Sequence, residues 1–278
     1  MARPFAFGQD LWDPSHRFET SWLLPPYALF FFRALFCLYA FVVEIFILGW
    51  YCSHQALGGC TTSRTQFSYF TVLTYWGIAF YFLVSSIHTL TYATTGRPLL
   101  EKFPRPVQAL HSLFYTTIVV YPFIVTIVYW ARLYSGTWFP DMFGAWSNIS
   151  QHAMNSFFAL FEIVIPRTDV LPLVHMLWLI VILALYLALA YLTRATKGFY
   201  VYSFLDPGVD GKGAVAGYVF GIAAACLIIF WVAWGLIRLR KWITEEKLGK
   251  DGKLAGHNAA WRDQTEGDLE MSGLRHGK

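Results

Sequence analysis

Five stretches of this chain, 27–50, 67–91, 111–133, 171–192 and 215–239, are apolar over roughly 20 residues each, the length an α-helix needs to cross about 30 Å of hydrocarbon. That repetition constrains the fold more than any motif. With 56% hydrophobic and only 14% charged residues, the chain is too apolar and too poor in charge for a soluble domain of its size. It reads as an all-α polytopic membrane protein. The net charge of +4 forms no basic face interleaved with aromatics, so nothing points to nucleic acid; its distribution speaks instead to membrane orientation.

A sixth stretch, 149–165, is shorter and more polar, and hydropathy alone leaves it between a span and a re-entrant helix. Charge decides for a span. With six crossings and both termini cytoplasmic, fifteen Lys and Arg fall on the inner side and five on the outer, with Arg33 inside the first span. Five crossings would send the basic tail outward, against the positive-inside tendency. The expected organisation is a cytoplasmic segment 1–26, a six-helix bundle over 27–240 in the endoplasmic reticulum or plasma membrane, and a disordered cytoplasmic tail 241–278. About 26 mostly polar residues precede a full-length first span, a pattern unlike a cleavable signal peptide.

Cys37 and Cys226 lie in apolar runs and read as small buried hydrophobes. Cys52 and Cys60 share one short outer loop, where a disulfide is allowed. The Asn148-Ile149-Ser150 sequon also falls outside, and reads as a helix start capped by Asn148 or Ser150.

The polar residues inside apolar sequence carry the functional argument, because an ionisable group in hydrocarbon costs about 2.5–3.5 kcal/mol on insertion scales unless it is paired or used. Trp146, Asn148, His152, Asn155 and Glu162 form such a set. Positions 152, 155, 159 and 162 share one helix face, with Ala159 leaving room between the polar groups. Thr71, with Thr74 and Tyr75 one turn deeper, enters its span at a depth similar to His152. Glu44 also lies toward the outer end of its span. Arg33 lies toward the inner end, within reach of Glu162.

A hydroxyl beside an imidazole is the minimal nucleophile and base pair: the imidazole takes the hydroxyl proton as oxygen attacks an acyl carbon, then returns it to the leaving group. Spacing alone leaves the bland readings open. A membrane threonine commonly bonds its own backbone, His152 serves equally well as an interhelical partner, and Glu162 reads first as a salt-bridge or hydrogen-bond partner of a facing helix rather than as a catalytic group. His88, His111 and His175 lie near the inner surface without metal-ligand spacing, so no metal is expected. The glycine-rich stretch 208–221 lacks the strand that phosphate loops follow.

The residues Trp146-x-Asn148-x-x-x-His152, Glu162, Arg167-Thr168 and the run Gly198-x-Tyr200-Val201-Tyr202-x-Phe204-Leu205-Asp206 resemble the androgen-induced protein family over about residues 25 to 240. The resemblance implies a multi-span membrane hydrolase with a threonine nucleophile and a histidine base, cleaving fatty acid esters of hydroxy fatty acids. Placing Tyr69-Phe70-Thr71 on the family's threonine segment also aligns the downstream aromatic run 79–82. It makes Thr71 the expected nucleophile, with Thr74 as fallback, and His152 the base. Asn148 or Asn155 would orient the histidine or polarise the carbonyl. Tyr200 and Tyr202 are expected in an interfacial belt rather than in the pocket. The substrate would be a lipid ester, and the chemistry needs no cofactor. A scaffold or lipid-binding protein on the same bundle, without turnover, is the competing reading. No repeat symmetry or interrupted helix in the sequence suggests a transporter.

Overall fold

The computed structural model describes Asp13 and residues 15–250. Among these residues there is no strand, only an isolated bridge between Ser21 and Pro166. The long helices are α1 (Pro26–Ser53), α3 (Phe70–Thr95), α4 (Arg105–Val128), α7 (His175–Lys197) and α8 (Pro207–Lys241). A short α2 (Gly59–Thr65) lies in the first loop. Helix α5 (Met142–Ile149), a π turn (Ser150–Met154) and α6 (Asn155–Val164) follow one another without a break. At 1.5 Å per residue that composite rod is about 35 Å long. Further π turns extend α4 through Leu133 and α8 through Lys247.

Local chemistry sets the helix limits. Pro26 opens α1, and Pro207 opens α8 behind Asp206, whose side chain accepts from the Gly208 N–H; proline has no N–H to lose at a first turn. Gly96 and Gly198 close α3 and α7 with positive φ, the left-handed cap that glycine adopts without strain. Gly211, at φ 79 and ψ 158, kinks α8 near its start.

Among the described residues, five helices are long and apolar enough to cross a membrane, as in a multi-pass membrane protein. Their outward faces agree: Leu38, Leu177, Phe220 and Ile228 are each more than 60% exposed, which a water-soluble surface would rarely present in such number. Inward, Phe36, Phe82 and Phe158 pack together, with Phe82 edge-on to both of the others. Fully buried Ala40, Ala79 and Ala159 let backbones approach closely.

Loops gather at two ends. At one, Arg17 pairs with Glu245, the Ser21 hydroxyl donates to the Ile165 carbonyl, and Lys241 reaches Asp169. At the other, Cys52 is bonded to Cys60, Trp50 stacks on Phe143, and the Tyr202 hydroxyl accepts from the Phe70 N–H. Successive long rods therefore run in alternating directions.

Two expectations need correction. The polar rod begins at Met142 rather than 149, capped by Asp141, which accepts from the Gly144 N–H at 2.6 Å; Asn148 and Ser150 lie inside the rod and cap nothing. Helical structure also runs past 240 to Lys247, because Glu245 has the Arg17 guanidinium to dock on. The rest of the expected tail, 251–278, and residues 1–12 lie outside the described residues.

Candidate functional site

Ser150, Gln151 and His152 are three consecutive buried polar residues of the wide π turn, the first two facing α1. Ser150 Oγ meets Tyr39 Oη of α1 at 2.8 Å, and Gln151 Nε2 donates to Glu44 Oε1 of α1 at 2.9 Å. His152 turns the other way, toward the end of α4. Its ring lies on the Tyr129 ring with centroids 3.6 Å apart and planes 4° from parallel. The Trp130 indole N–H donates to the His152 carbonyl at 2.9 Å. His152 Nδ1 is buried and has no hydrogen-bond partner.

The two asparagines hold neighbours rather than the imidazole. Asn148 Oδ1 accepts from the Tyr129 hydroxyl at 2.7 Å, and its Nδ2 donates to the Gly144 carbonyl. Asn155 accepts from Thr126 and donates to the Pro122 carbonyl, which ties α6 to α4. Glu162 is wholly buried and committed: Arg33 Nε and Nη2 reach its two oxygens at 2.8 and 2.7 Å, and the Tyr81 hydroxyl donates to it at 2.9 Å. Arg33 also donates to Thr89 and to the Phe18 carbonyl. The polar stripe thus divides into a half around His152, toward the disulfide end, and a saturated ion pair toward the other end.

Thr71 lies in the first turn of α3, on the wall of a cavity of ≈ 250 Å³. Val128, Tyr129 and Leu133 at the end of α4, Leu187 of α7 and Tyr202 also line it. Tyr129 is the shared neighbour, because one face of its environment is this cavity and its ring covers His152. His152 itself does not line the cavity. Thr71 and His152 make no hydrogen bond to each other: Thr71 shares only the cavity wall with Tyr129, whose ring covers His152. Thr74 borders a second apolar cavity, of ≈ 350 Å³ between α3, α4 and α7, and its buried hydroxyl has no partner.

Tyr202 departs from the expected interfacial belt. It lines the first cavity, stacks on Phe204 and caps the start of α3 through the Phe70 N–H. Tyr200 packs on Tyr191 beneath the Arg194 guanidinium. Arg167 and Thr168 belong to the opposite end. The Arg167 N–H donates to the Thr20 carbonyl, while the Thr168 hydroxyl meets Tyr115 and Arg240. Of the three histidines toward that end, His88 and His111 meet edge to face with ring centroids 5.3 Å apart, while His175 Nδ1 meets the Thr116 hydroxyl instead. Among the described residues, no three His, Cys, Asp or Glu side chains are grouped to hold a metal ion.

Sequence reasoning missed Tyr129 and Trp130. Their signal was a pair of aromatics with polar tips closing the third apolar run, a place where such residues usually mark the membrane interface. No family model matches the chain, and no curated protein or solved structure does so either.

Proposed function

We propose that this chain is a six-span membrane esterase of the kind its sequence motifs resemble, hydrolysing a fatty acid ester of a hydroxy fatty acid with Thr71 as nucleophile and His152 as base. One observation carries the reading: Thr71 lines an apolar cavity that Tyr129, stacked on His152, also lines. A cavity with that lining suits an acyl chain better than a polar solute. The composite rod from Met142 to Val164 would be the sixth span, with both termini cytoplasmic and the disulfide end outside. The membrane would be the endoplasmic reticulum or the plasma membrane.

The chemistry follows from the groups. Thr71 Oγ1 attacks the ester carbonyl carbon as its proton passes to His152; the tetrahedral intermediate collapses, re-forming the carbonyl and breaking the ester C–O bond, and the alkoxide leaves with that proton as an alcohol. Water then attacks the threonyl ester, with His152 again taking and returning a proton, and releases the acid. The reading requires the imidazole to come within hydrogen-bond distance of the hydroxyl in the substrate complex, a contact that often tightens only when substrate binds.

The separation of Thr71 from His152 favours a second reading, a lipid-binding protein without turnover. Purified protein in nanodiscs, assayed with a branched fatty acid ester, separates the two. The esterase reading expects turnover that Thr71→Ala and His152→Ala each abolish without loss of expression, and fluorophosphonate labelling at Thr71. Binding of the ester with no turnover and no labelling selects the second reading. Labelling at Thr74 instead would reassign the nucleophile.

A further inference from the structure

Two of the three π turns among the described residues meet face to face. The turn Tyr129–Leu133 ends α4, the turn Ser150–Met154 interrupts the composite rod, and the contact between them is the stack of Tyr129 on His152. Such turns widen a helix at a cost and recur at functional sites. Here they place two planar side chains in register.

A histidine that works as a base ordinarily has its second ring nitrogen held by a carboxylate or carbonyl. His152 has no such holder, since its buried Nδ1 meets nothing. What fixes the ring plane is the phenol face at 3.6 Å, and that phenol is fixed in turn. Its hydroxyl donates to Asn148 Oδ1 at 2.7 Å, and Asn148 donates onward to the Gly144 carbonyl, one helical turn back. The neighbouring Trp130 indole anchors the His152 backbone through its carbonyl. The chain of contacts runs from Gly144 through Asn148 and Tyr129 to the imidazole.

We infer that Tyr129 is the positioning residue for His152, setting the imidazole plane by stacking in place of the usual hydrogen-bonded partner and screening it from the cavity, with Asn148 acting on the histidine through Tyr129. The inference rests on the esterase reading for its kinetic consequence, but its geometric content stands apart from turnover. An electron-rich phenol face also suits the imidazolium that forms when the base accepts a proton. Because the ring forms part of the cavity wall as well, a ligand chain entering beside Thr71 would press on the same residue that covers the base.

The test uses the full chain in nanodiscs with Tyr129→Leu, Tyr129→Phe and Asn148→Ala, each read in two ways. The first reading is modification of His152 by diethyl pyrocarbonate, followed by peptide mass spectrometry. Wild type should be protected, Tyr129→Leu should label severalfold faster, and Tyr129→Phe and Asn148→Ala, which both remove the bond between the Tyr129 hydroxyl and Asn148, should fall together between the two. The second is hydrolysis of a branched fatty acid ester. Tyr129→Leu should lose about 10- to 100-fold in kcat, part of the 10²–10⁴ that a positioned base supplies, with KM little changed and the pH–rate profile displaced. Tyr129→Phe keeps the ring and should restore most of kcat. Equal labelling of His152 in wild type and Tyr129→Leu overturns the inference, as does a Tyr129→Phe variant as impaired as Tyr129→Leu. If labelling follows the expected order while wild type shows no turnover, the positioning role stands and the esterase reading falls. A Tyr129→Leu protein that fails to fold leaves the decision to Tyr129→Phe and Asn148→Ala, where uniform protection and unchanged rates would reject the relay.

Discussion

Arg33 and Glu162 are joined as a two-pronged ion pair, with Nε–Oε1 and Nη2–Oε2 at 2.8 and 2.7 Å, and neither side chain is more than 1% exposed. The pair links α1 to α6, while Tyr81 and Thr89 bring α3 into the same network. Removing one partner leaves a buried charge uncompensated, which costs about 3–5 kcal/mol, whereas replacing both with apolar groups is often close to neutral. Arg33→Ala and Glu162→Ala should each lower the thermal midpoint in detergent sharply, and Arg33→Met with Glu162→Met should recover at least half of that loss. A single variant that melts like wild type would show that the pair does not hold the three helices together.

The pair also marks how far the sequence could be read. Arg33 toward the inner end of one apolar run and Glu162 toward the inner end of another are visible as expensive charges at matching depth, and expense predicts partnership. The same logic flagged His152 but could not find its neighbour. Hydropathy treats Tyr129 as one more aromatic at a helix end, and the phase that turns it onto His152 depends on two π turns. A π turn adds backbone to one helical repeat without a dedicated residue type to announce it. Asp141 is a different case: the apolar run it caps, 142–146, is short and is interrupted by Ser147 and Asn148, so hydropathy alone starts the span at 149. Apolar periodicity thus located the helices, while the contacts that define the site came from helix phase.

Glu19 gives the N-terminal strap a pH dependence. Its carboxylate is 1% exposed, and both oxygens lack a partner. Burial first, and the Asp13 carboxylate second, push its carboxyl up to about 8, against the pull of the Arg33 guanidinium, with Glu101 adding to the rise. The folded value therefore exceeds the ordinary 4.5. Below that ordinary value both folded and unfolded chains carry the proton, and the strap keeps its full stability. As pH climbs toward 8, the unfolded carboxyl ionises while the folded one must stay neutral, so docking weakens by up to ~1.4 kcal/mol per pH unit before levelling off. Amide exchange over residues 15–21, corrected for intrinsic rate, should accelerate between pH 5 and about pH 8. Glu19→Gln should flatten that dependence. An unchanged slope in Glu19→Gln would assign the effect to another group.

The Cys52–Cys60 bond closes a short loop between α1 and α2, with eight residues' separation. A loop of this size restricts the unfolded chain by about 2–3 kcal/mol in the loop-entropy account. Cys52→Ser with Cys60→Ser should lower the thermal midpoint while leaving the bundle assembled, because the helix contacts of α1 lie below the loop. The bond persists only where thiols are oxidised. In sealed vesicles of known orientation, a membrane-impermeant reductant should therefore open it from the non-cytoplasmic side alone. Reduction from the cytoplasmic side would invert the proposed orientation.

The composite rod Met142–Val164 decides between six crossings and five. Trp138 precedes the rod, and Leu173 follows it; both are exposed. Val209, at the start of α8, is exposed near the disulfide end, and Phe103, between α3 and α4, is exposed at the other. The native cysteines are suited to a silent background, since Cys37 and Cys226 are buried and Cys52 and Cys60 are bonded to each other. Single cysteines at these four positions, challenged with an impermeant maleimide in sealed vesicles, should sort into two pairs. Trp138→Cys should label with Val209→Cys from one side, and Leu173→Cys with Phe103→Cys from the other. The pairing follows from rods that reverse direction at every loop, and from a rod about 35 Å long at 1.5 Å per residue, sufficient to cross the hydrocarbon despite its polar face. Labelling of Trp138→Cys and Leu173→Cys from the same side would make the rod re-entrant. His152 would then approach Thr71 from a segment that never leaves one leaflet, and the six-span esterase would have to be redrawn with five crossings.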